Sequence, residues 1–147
     1  MNNTVVADTP VMKQFLDIKS KYNDTIILFR MGDFYETFLD DAVITSQVLG
    51  IVLTKRANGK AAEVNLAGFP YHSLDNYLPK LVKAGYRVAI CEQIEDPKTT
   101  KGIVKRDVVE VVTPGTLTAD KTLTDKSNRY IGSMFFKNNI IGVAFLD

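Results

Sequence analysis

The sequence predicts an α/β (α+β) fold, in which a mixed β-sheet is flanked by about three helices and followed by a linker and a β-hairpin. Two apolar runs, residues 25–31 and 86–93, have the length and the β-branched content of buried strands. Segments whose apolar residues recur at helical spacing lie before and between these runs. This alternation of strands and helices is typical of a sheet that is covered by helices.

The first predicted helix begins after Thr9. A threonine side chain is suited to the N-cap position and Pro10 to the first helical position. Met12 and Phe15 then lie on one face of the helix, as an amphipathic pattern requires. The apolar strand at residues 25–31 follows this helix in the chain.

A second helix is predicted to be capped by Asp40 or Asp41, to run to Leu49 and to end at Gly50. Carboxylates are stabilising at a helix N-terminus, and glycine is the common residue just beyond a helix C-terminus. The β-branched residues that follow predict a short strand at residues 51–54.

Residues 56–63 are predicted to form a loop that contains an Asn-Gly turn, and residues 73–83 are predicted to form a third helix. Pro79 conflicts with the middle of that helix, because proline lacks the N–H that the helix needs. The conflict predicts either a kink or a later helix start. The strand at residues 86–93 and a further strand at 106–113 are joined by a basic loop.

The chain is predicted to change character after residue 113. The first domain would span residues 1–113, and the polar, aperiodic residues 114–127 would form a linker. Residues 128–147 contain two apolar runs separated by two asparagines, which is a hairpin pattern. This hairpin would be the truncated beginning of a second domain.

The composition agrees with a globular domain and excludes few functions. Of 147 residues, 46% are hydrophobic and 24% are charged, and the formal net charge is +1. Any basic surface must therefore be local rather than global. The single cysteine, Cys91, alternates with apolar residues, so we expect a core thiol and a reducing, cytoplasmic setting. No apolar run approaches the length of a membrane span.

The segment RMGDFYETF, residues 30–38, carries the most specific pattern. If residues 34–38 are extended, Phe34 and Glu36 point to one side, and Tyr35 points to the other and packs in the core. An aromatic side chain at a strand end can act as a wedge in the DNA minor groove, and a carboxylate can accept hydrogen bonds from base edges. An aromatic residue on a strand is more often part of the core, so the pattern alone leaves both readings open.

Two alternatives concern the same residues. Asp33, Glu36, Asp40 and Asp41 could converge on metal ions in a metal-dependent nuclease, although the last two are better placed as helix caps. Phe34 could instead be the exposed anchor of a protein-interaction module. The sequence offers no catalytic residue and no metal site: a lone histidine without a partner is more often structural.

Six motifs in order resemble the mismatch-recognition domain of the bacterial MutS family of DNA mismatch repair proteins. A Thr-Pro sequence at 9–10 opens the series. The others are RMGDFYETF at 30–38, LTKR at 53–56, AGFPYH at 67–72, AICEQIED at 89–96 and VTPGT at 112–116. The resemblance implies that Phe34 inserts at mismatched or unpaired bases in double-stranded DNA and that Glu36 hydrogen-bonds the displaced base.

The resemblance also implies further DNA contacts. Two basic clusters in or beside loops are expected to face phosphates. They consist of Lys55, Arg56 and Lys60, and of Lys98, Lys101, Lys105 and Arg106. An apolar residue, Leu66, stands where the family has a residue in the minor groove. The predicted DNA-contacting residues are Met31, Gly32, Asp33, Arg56, Leu66, Lys105 and Arg106.

The resemblance further predicts that the chain is part of a much longer protein. That protein would bind ATP and Mg²⁺ in an ATPase domain, form a homodimer and recruit a downstream repair partner. The chain has no G-x-x-x-x-G-K-[ST] phosphate loop, so no cofactor is expected in this part. We expect the chain alone to be monomeric, not to contact a membrane and not to be an enzyme.

Overall fold

A computed structural model of the chain describes residues 9–115, 131–138 and 140–146. It contains three α-helices and a short 3-10 helix: α1 (Pro10–Lys21), α2 (Leu39–Leu49), α3 (Leu74–Lys83) and Tyr71–Ser73. It contains eight strands: β1 (Thr25–Met31), β2 (Phe34–Phe38), β3 (Thr54–Asn58), β4 (Ala61–Pro70), β5 (Arg87–Gln93), β6 (Arg106–Val112), β7 (Ile131–Lys137) and β8 (Ile140–Leu146). Among the described residues, no helix is long and apolar enough to cross a membrane.

Strands β1 to β6 form one mixed sheet in the order β3-β4-β2-β1-β5-β6. The β1 and β5 strands run parallel, and every other neighbouring pair is antiparallel. The predicted class, a mixed sheet with about three helices and a following hairpin, is confirmed. The order also places β2 inside the sheet, because it pairs with β1 on one side and β4 on the other.

Each face of the sheet carries its own hydrophobic core. One core joins α1 to the sheet through Met12, Phe15, Ile18, Ile27, Phe29, Phe38, Val64, Ala89 and Cys91. The other joins α2 and α3 to the opposite face and includes Ile26, Leu28, Tyr35, Leu49, Phe69, Leu78, Leu81, Val82, Val88, Ile90 and Val112. Three rings, Phe15, Phe29 and Phe38, meet edge to face with centroids 5.0–6.0 Å apart. The domain is therefore a three-layer stack in which a single helix covers one face.

The predicted start of α1 is confirmed in detail. Thr9 has extended dihedral angles, and its hydroxyl oxygen accepts a hydrogen bond from the Met12 N–H at 3.3 Å. Pro10 occupies the first helical position. These contacts satisfy an N–H group that would otherwise have no partner at the helix end.

The predicted cap of α2 is wrong. Phe38 is the N-cap residue and makes no side-chain cap, whereas Asp40 and Asp41 lie in the first helical turn. The Asp41 carboxylate is buried, accepts from Lys19 Nζ at 2.7 Å and accepts from the Ile27 N–H at 3.1 Å. A buried carboxylate needs such partners, and these tie α2 to α1 and to the sheet.

The predicted strand at residues 51–54 and the predicted loop at residues 56–63 are also wrong. Residues 51–53 are not in a strand, β3 begins at Thr54, and β3 and β4 together occupy most of the predicted loop. The Asn-Gly turn is present, with Gly59 at φ +62°, but it closes a hairpin between β3 and β4 in which Asn58 pairs with Ala61. This polar segment has no alternation of apolar and polar residues, so its sequence does not predict a strand. It becomes one because its backbone forms hydrogen bonds with β4.

The third helix begins at Leu74, directly after the 3-10 turn, and contains Pro79. Of the two alternatives, a later helix start is therefore wrong, and a kink at Pro79 stays a prediction. Pro79 is buried with Leu78, Leu81 and Val82 in the core on that face of the sheet. Tertiary packing thus outweighs the loss of one helical hydrogen bond.

Strands β7 and β8 form the predicted hairpin as a separate two-stranded sheet, from Ile131↔Leu146 to Lys137↔Ile140. Its large apolar side chains are exposed: Met134, Phe135, Phe136, Ile140, Ile141, Val143, Phe145 and Leu146. The predicted linker beyond residue 115 lies outside the described residues. That the hairpin belongs to a second domain stays a prediction.

Candidate nucleic-acid interface

Strand β2 presents Phe34 at the end of the sheet. A two-residue turn, Gly32 and Asp33, connects β1 to β2, and Met31 pairs with Phe34 across it. Gly32 has φ +57°, a conformation that glycine adopts without strain and that hairpin turns of this length use. Phe34 is 46% exposed, whereas Tyr35 is buried and Glu36 half-buried, so the predicted alternation along β2 is confirmed.

Phe34 and Glu36 lie on the face of the sheet that α1 covers, but toward one end of it. Residues directly opposite each other on paired strands share a face. Phe38 is buried under α1 and pairs with Leu66, which is only half-buried. Met31, opposite Phe34, is half-buried as well. The half-exposed apolar residues Met31 and Leu66 therefore flank the Phe34–Glu36 pair on one continuous surface.

Gly68 allows β4 to approach β2 closely behind Glu36. A Cβ atom at this position would lie 2.8 Å from the Tyr35 carbonyl oxygen and 3.4 Å from Glu36 Cγ. Real Cβ atoms do not approach a backbone atom so closely, and two paired central strands cannot easily separate. The glycine of the AGFPYH motif is thus a packing requirement of the strand that carries Phe34.

Replacing Gly68 by alanine is expected to destabilise the fold by about 1–3 kcal/mol, because overpacking forces backbone shifts. Gly142 is the matched control, since its added Cβ would meet only the Phe135 oxygen, at 4.0 Å. The measurement is urea denaturation of both variants. Equal free energies of unfolding for Gly68→Ala and the unaltered chain would contradict the close contact.

Glu36 forms an ion pair that the sequence did not predict. Its Oε2 atom lies 2.7 Å from Arg56 Nη1, and both side chains are partly buried. Burial raises the pKa of Glu36 above its ordinary value, against the lowering influence of Arg56 and, further away, Arg106. Glu36 and Arg56 are 20 positions apart in sequence, and their contact depends on the β3–β4 hairpin, so no local pattern predicts it.

The Arg106 side chain lies inside the protein and bonds to other elements of the domain. It is 7% exposed, and its guanidinium lies 4.9 Å from the centroid of the Phe29 ring. Its N–H groups donate to the Arg30 carbonyl oxygen at 2.5 Å, to the Val104 carbonyl oxygen at 2.8 Å and to Gln14 at 3.1 Å. These bonds direct the predicted DNA contact Arg106 into the protein, where it ties β6 to β1 and α1.

Arg30 braces the turn that precedes Phe34. Its Nε donates to the Gly32 carbonyl oxygen at 2.6 Å, and its guanidinium lies 3.8 Å from the centroid of the Tyr71 ring. The Tyr71 N–H in turn donates to the Asp33 carbonyl oxygen at 2.9 Å. Sequence reasoning missed both braces, although Arg30 and Tyr71 lie within the quoted motifs.

Glu92 on β5 completes this brace. It accepts a hydrogen bond from the Tyr35 hydroxyl and lies 3.6 Å from Arg30. Burial and the neighbouring Glu92 carboxylate raise the pKa of Tyr35 to about 12, so the phenol stays a donor. Residues on β1, β2 and β5 thus fix the backbone that carries the exposed Phe34.

The two basic clusters lie on either side of β2. Because β1 and β5 are parallel, the loop at residues 94–105 lies at the same end of the sheet as the Gly32 turn. Its lysines, Lys98, Lys101 and Lys105, are exposed. Lys55 is exposed on β3, two strands from β2 on the other side, and its pairing with Asn65, the neighbour of Leu66, puts it on the opposite face of the sheet from Phe34. At about 4.8 Å per strand, each flank is about 10 Å from β2.

Hydrogen bonds join the two ends of the loop at residues 94–105. The Ile94 N–H donates to the Lys105 carbonyl oxygen at 3.0 Å, and the Lys105 N–H donates to Glu95 at 3.0 Å. The Asp96 carboxylate accepts from the Lys98 N–H at 2.9 Å. The lysine side chains therefore extend from an ordered backbone.

The side chains considered for metal or catalytic chemistry do not converge. Within the described ranges, no three His, Cys, Asp or Glu residues are placed to hold a metal ion. Asp41 is bound to Lys19, Glu36 is bound to Arg56, and His72 is exposed. Cys91 is fully buried, and burial raises its pKa to about 12, so its thiol belongs to the core, as predicted.

Comparison with known proteins identifies the family. Residues 9–121 match the family described as MutS domain I. The whole chain is 58% identical to DNA mismatch repair protein MutS of Flavobacterium psychrophilum and 57% identical to that of Phocaeicola vulgatus, and covers 17% of each. Over 97% of the chain, it is 55% identical to MutS of Porphyromonas gingivalis, of which it covers 16%. The chain spans about a sixth of the length of these relatives, and it belongs to the MutS domain I family.

Proposed function

We propose that this domain binds double-stranded DNA that contains mismatches or small loops, and that it does so from the minor groove. The observation that carries the proposal is the position of Phe34. It is 46% exposed at the end of β2, whereas Phe15, Phe29, Phe38 and Phe69 are all buried. An exposed ring on a strand held from both sides is suited to stack on a base. The names of the relatives, DNA mismatch repair proteins, support the same function.

Phe34 acts in this proposal as a wedge between base steps. Unstacking a base costs a few kcal/mol per step, and a mispaired or unpaired base costs less than a paired one. The preference for mismatches then comes from the ease of deforming the DNA rather than from a code of base edges. Such a mechanism suits a domain that accepts several kinds of mismatch.

The surface around Phe34 supplies the remaining contacts. Glu36 hydrogen-bonds the displaced base, and the apolar side chains of Met31 and Leu66 lie against the walls of the groove. Gly32 and Asp33 bring the turn close to the DNA backbone. Exposed lysines of the loop at residues 94–105, among them Lys105, contact phosphates and position the domain without reading sequence.

We further propose that the domain works within a longer mismatch repair protein, because the relatives are about six times as long as this chain. ATP and Mg²⁺ would bind outside the chain, and so would the contacts of a homodimer and of a downstream repair partner. This domain then contributes recognition of the DNA lesion and no catalytic step.

The proposal is tested by titrating the longer protein with three duplexes: one fully matched, one with a G·T mismatch and one with a single unpaired base. We expect the second and third to bind more tightly than the first. Equal affinities for all three would refute mismatch recognition. Indifference to DNA of any kind would instead favour a protein-interaction module anchored on Phe34.

The chain alone is expected to bind DNA much more weakly than the longer protein and with a shallow dependence on salt. The three exposed lysines of the loop at residues 94–105 would make about three phosphate contacts, which corresponds to a log–log salt slope of about −2.7. Fluorescence anisotropy across a salt series measures this slope. Tight and mismatch-selective binding by the chain alone would contradict the expectation.

A further inference from the structure

The carboxylate of Glu36 is held by one oxygen only. Its Oε2 is bound to Arg56 Nη1 at 2.7 Å, and its Oε1 has no hydrogen-bond partner among the described residues. Arg56 reaches it from β3, an edge strand of the sheet. The ion pair therefore leaves one oxygen available on the surface that carries Phe34.

The available oxygen can meet two kinds of base edge. An ionised carboxylate only accepts hydrogen bonds, so it suits a base that presents an imino N–H, as thymine does at N3. A protonated carboxyl group can donate, so it suits a base that presents an acceptor, such as a purine N7. The charge state of Glu36 thus determines which class of displaced base it binds.

We propose that Arg56 is a specificity-determining residue: its contact with Glu36 biases the domain toward displaced bases that donate a hydrogen bond and against those that only accept one. The inference rests on the function proposed for Glu36. Arg56 acts through Glu36 and is therefore a positioning residue, in addition to any contact it makes with phosphate.

The surroundings of Glu36 favour this assignment over a purely structural ion pair. Two cations act on the carboxylate, Arg56 from β3 and Arg106 from β6, whereas its cross-strand neighbours on β1 and β4 are Phe29 and Gly68. Arg106 is bound to three protein acceptors and is 7% exposed, so it is fixed. Burial disfavours the charged form of Glu36, whereas direct contact with Arg56 favours that form.

The first test uses the chain without DNA. The carboxyl carbon of Glu36 is followed by NMR through a pH titration in the unaltered chain, in Arg56→Gln and in Lys55→Gln. Lys55 is the matched control, because it is an adjacent exposed cation on the same strand and pairs with Asn65. We expect the titration midpoint of Glu36 to rise in Arg56→Gln only. An unchanged midpoint would overturn the proposal.

The second test measures binding of the longer protein to two lesions. One duplex carries an unpaired thymine, and a second carries an unpaired guanine, whose N7 and O6 atoms are both acceptors. A third duplex carries 7-deazaguanine in place of that guanine and identifies bonds to N7. Because Arg56 lowers the pKa of Glu36, Arg56→Gln should shift the preference between the two bases in favour of guanine. The guanine complex should also persist to higher pH, because Glu36 then loses its proton at higher pH.

The controls separate the possible failures. Arg56→Lys keeps the positive charge and should restore much of the thymine preference, and Lys55→Gln, on the opposite face of β3, should leave the preference between the two bases unchanged. A uniform loss of affinity for all duplexes in Arg56→Gln would mean that Arg56 contacts only phosphate and would overturn this inference alone. An unaltered protein that prefers neither lesion over matched DNA would overturn the proposed function as well.

Discussion

Replacing Phe34 by alanine is expected to remove most of the preference for mismatched over matched DNA while leaving the fold intact. Stacking of an aromatic side chain on a base is worth about 1–3 kcal/mol, which corresponds to a loss of about 5- to 150-fold. The fold should survive because Phe34 is 46% exposed and belongs to neither hydrophobic core. Competition binding with matched and G·T duplexes measures the ratio, and thermal unfolding checks the fold.

Three further variants define what the Phe34 ring contributes. Phe34→Tyr keeps the stacking surface and should keep most of the preference, whereas Phe34→Leu keeps apolar bulk without a ring and should lose most of it. Val109→Ala removes another exposed apolar side chain, on β6, and should have no effect on the ratio. If folded Phe34→Ala discriminates as well as the unaltered protein, Phe34 is not the wedge.

Replacing Glu36 by alanine is expected to strengthen binding to matched DNA while lowering the ratio of mismatched to matched affinity. The substitution removes a negative charge that repels phosphates, and it releases Arg56 from its ion pair, so both effects act on any duplex. It also removes a hydrogen bond to a charged group, worth about 1.5–3 kcal/mol, that only the mismatch complex makes.

The measurement for Glu36→Ala is a titration against matched and mismatched duplexes at one fixed salt concentration. Glu36→Gln is the matched control, because it keeps the shape of the side chain and loses only its charge. Equal weakening on both duplexes would show that Glu36 supports the fold and takes no part in recognition. For a mismatch that offers only an acceptor, affinity should fall as pH rises, since Glu36 must be protonated to donate.

Local signals in the sequence identified the parts of the site that depend on neighbouring residues. The Gly-Asp pair predicted the turn before β2, and strict alternation predicted that Phe34 and Glu36 face away from Tyr35. The cap at Thr9 and the burial of Cys91 follow from equally local patterns. Each of these features is set by residues within a few positions of one another.

The features that sequence reasoning missed are contacts between distant segments. The Glu36–Arg56 ion pair spans 20 residues, and the bonds of Arg106 to Gln14 and Arg30 span 92 and 76. Asp41 was predicted to be a helix cap because its position in the sequence suits a cap. Its actual partner, Lys19, lies 22 residues away and is not indicated by any local pattern. β3 was missed for the same reason: its residues become a strand by pairing with β4.

The pairing of β2 on both sides has a mechanical consequence. A strand hydrogen-bonded to β1 and β4, with its preceding turn fastened by Arg30 and Tyr71, has no hinge about which Phe34 could swing aside. If Phe34 inserts into a duplex as proposed, the DNA and not the protein must therefore deform. In the proposed function, the domain then senses how easily the DNA deforms at a given base pair.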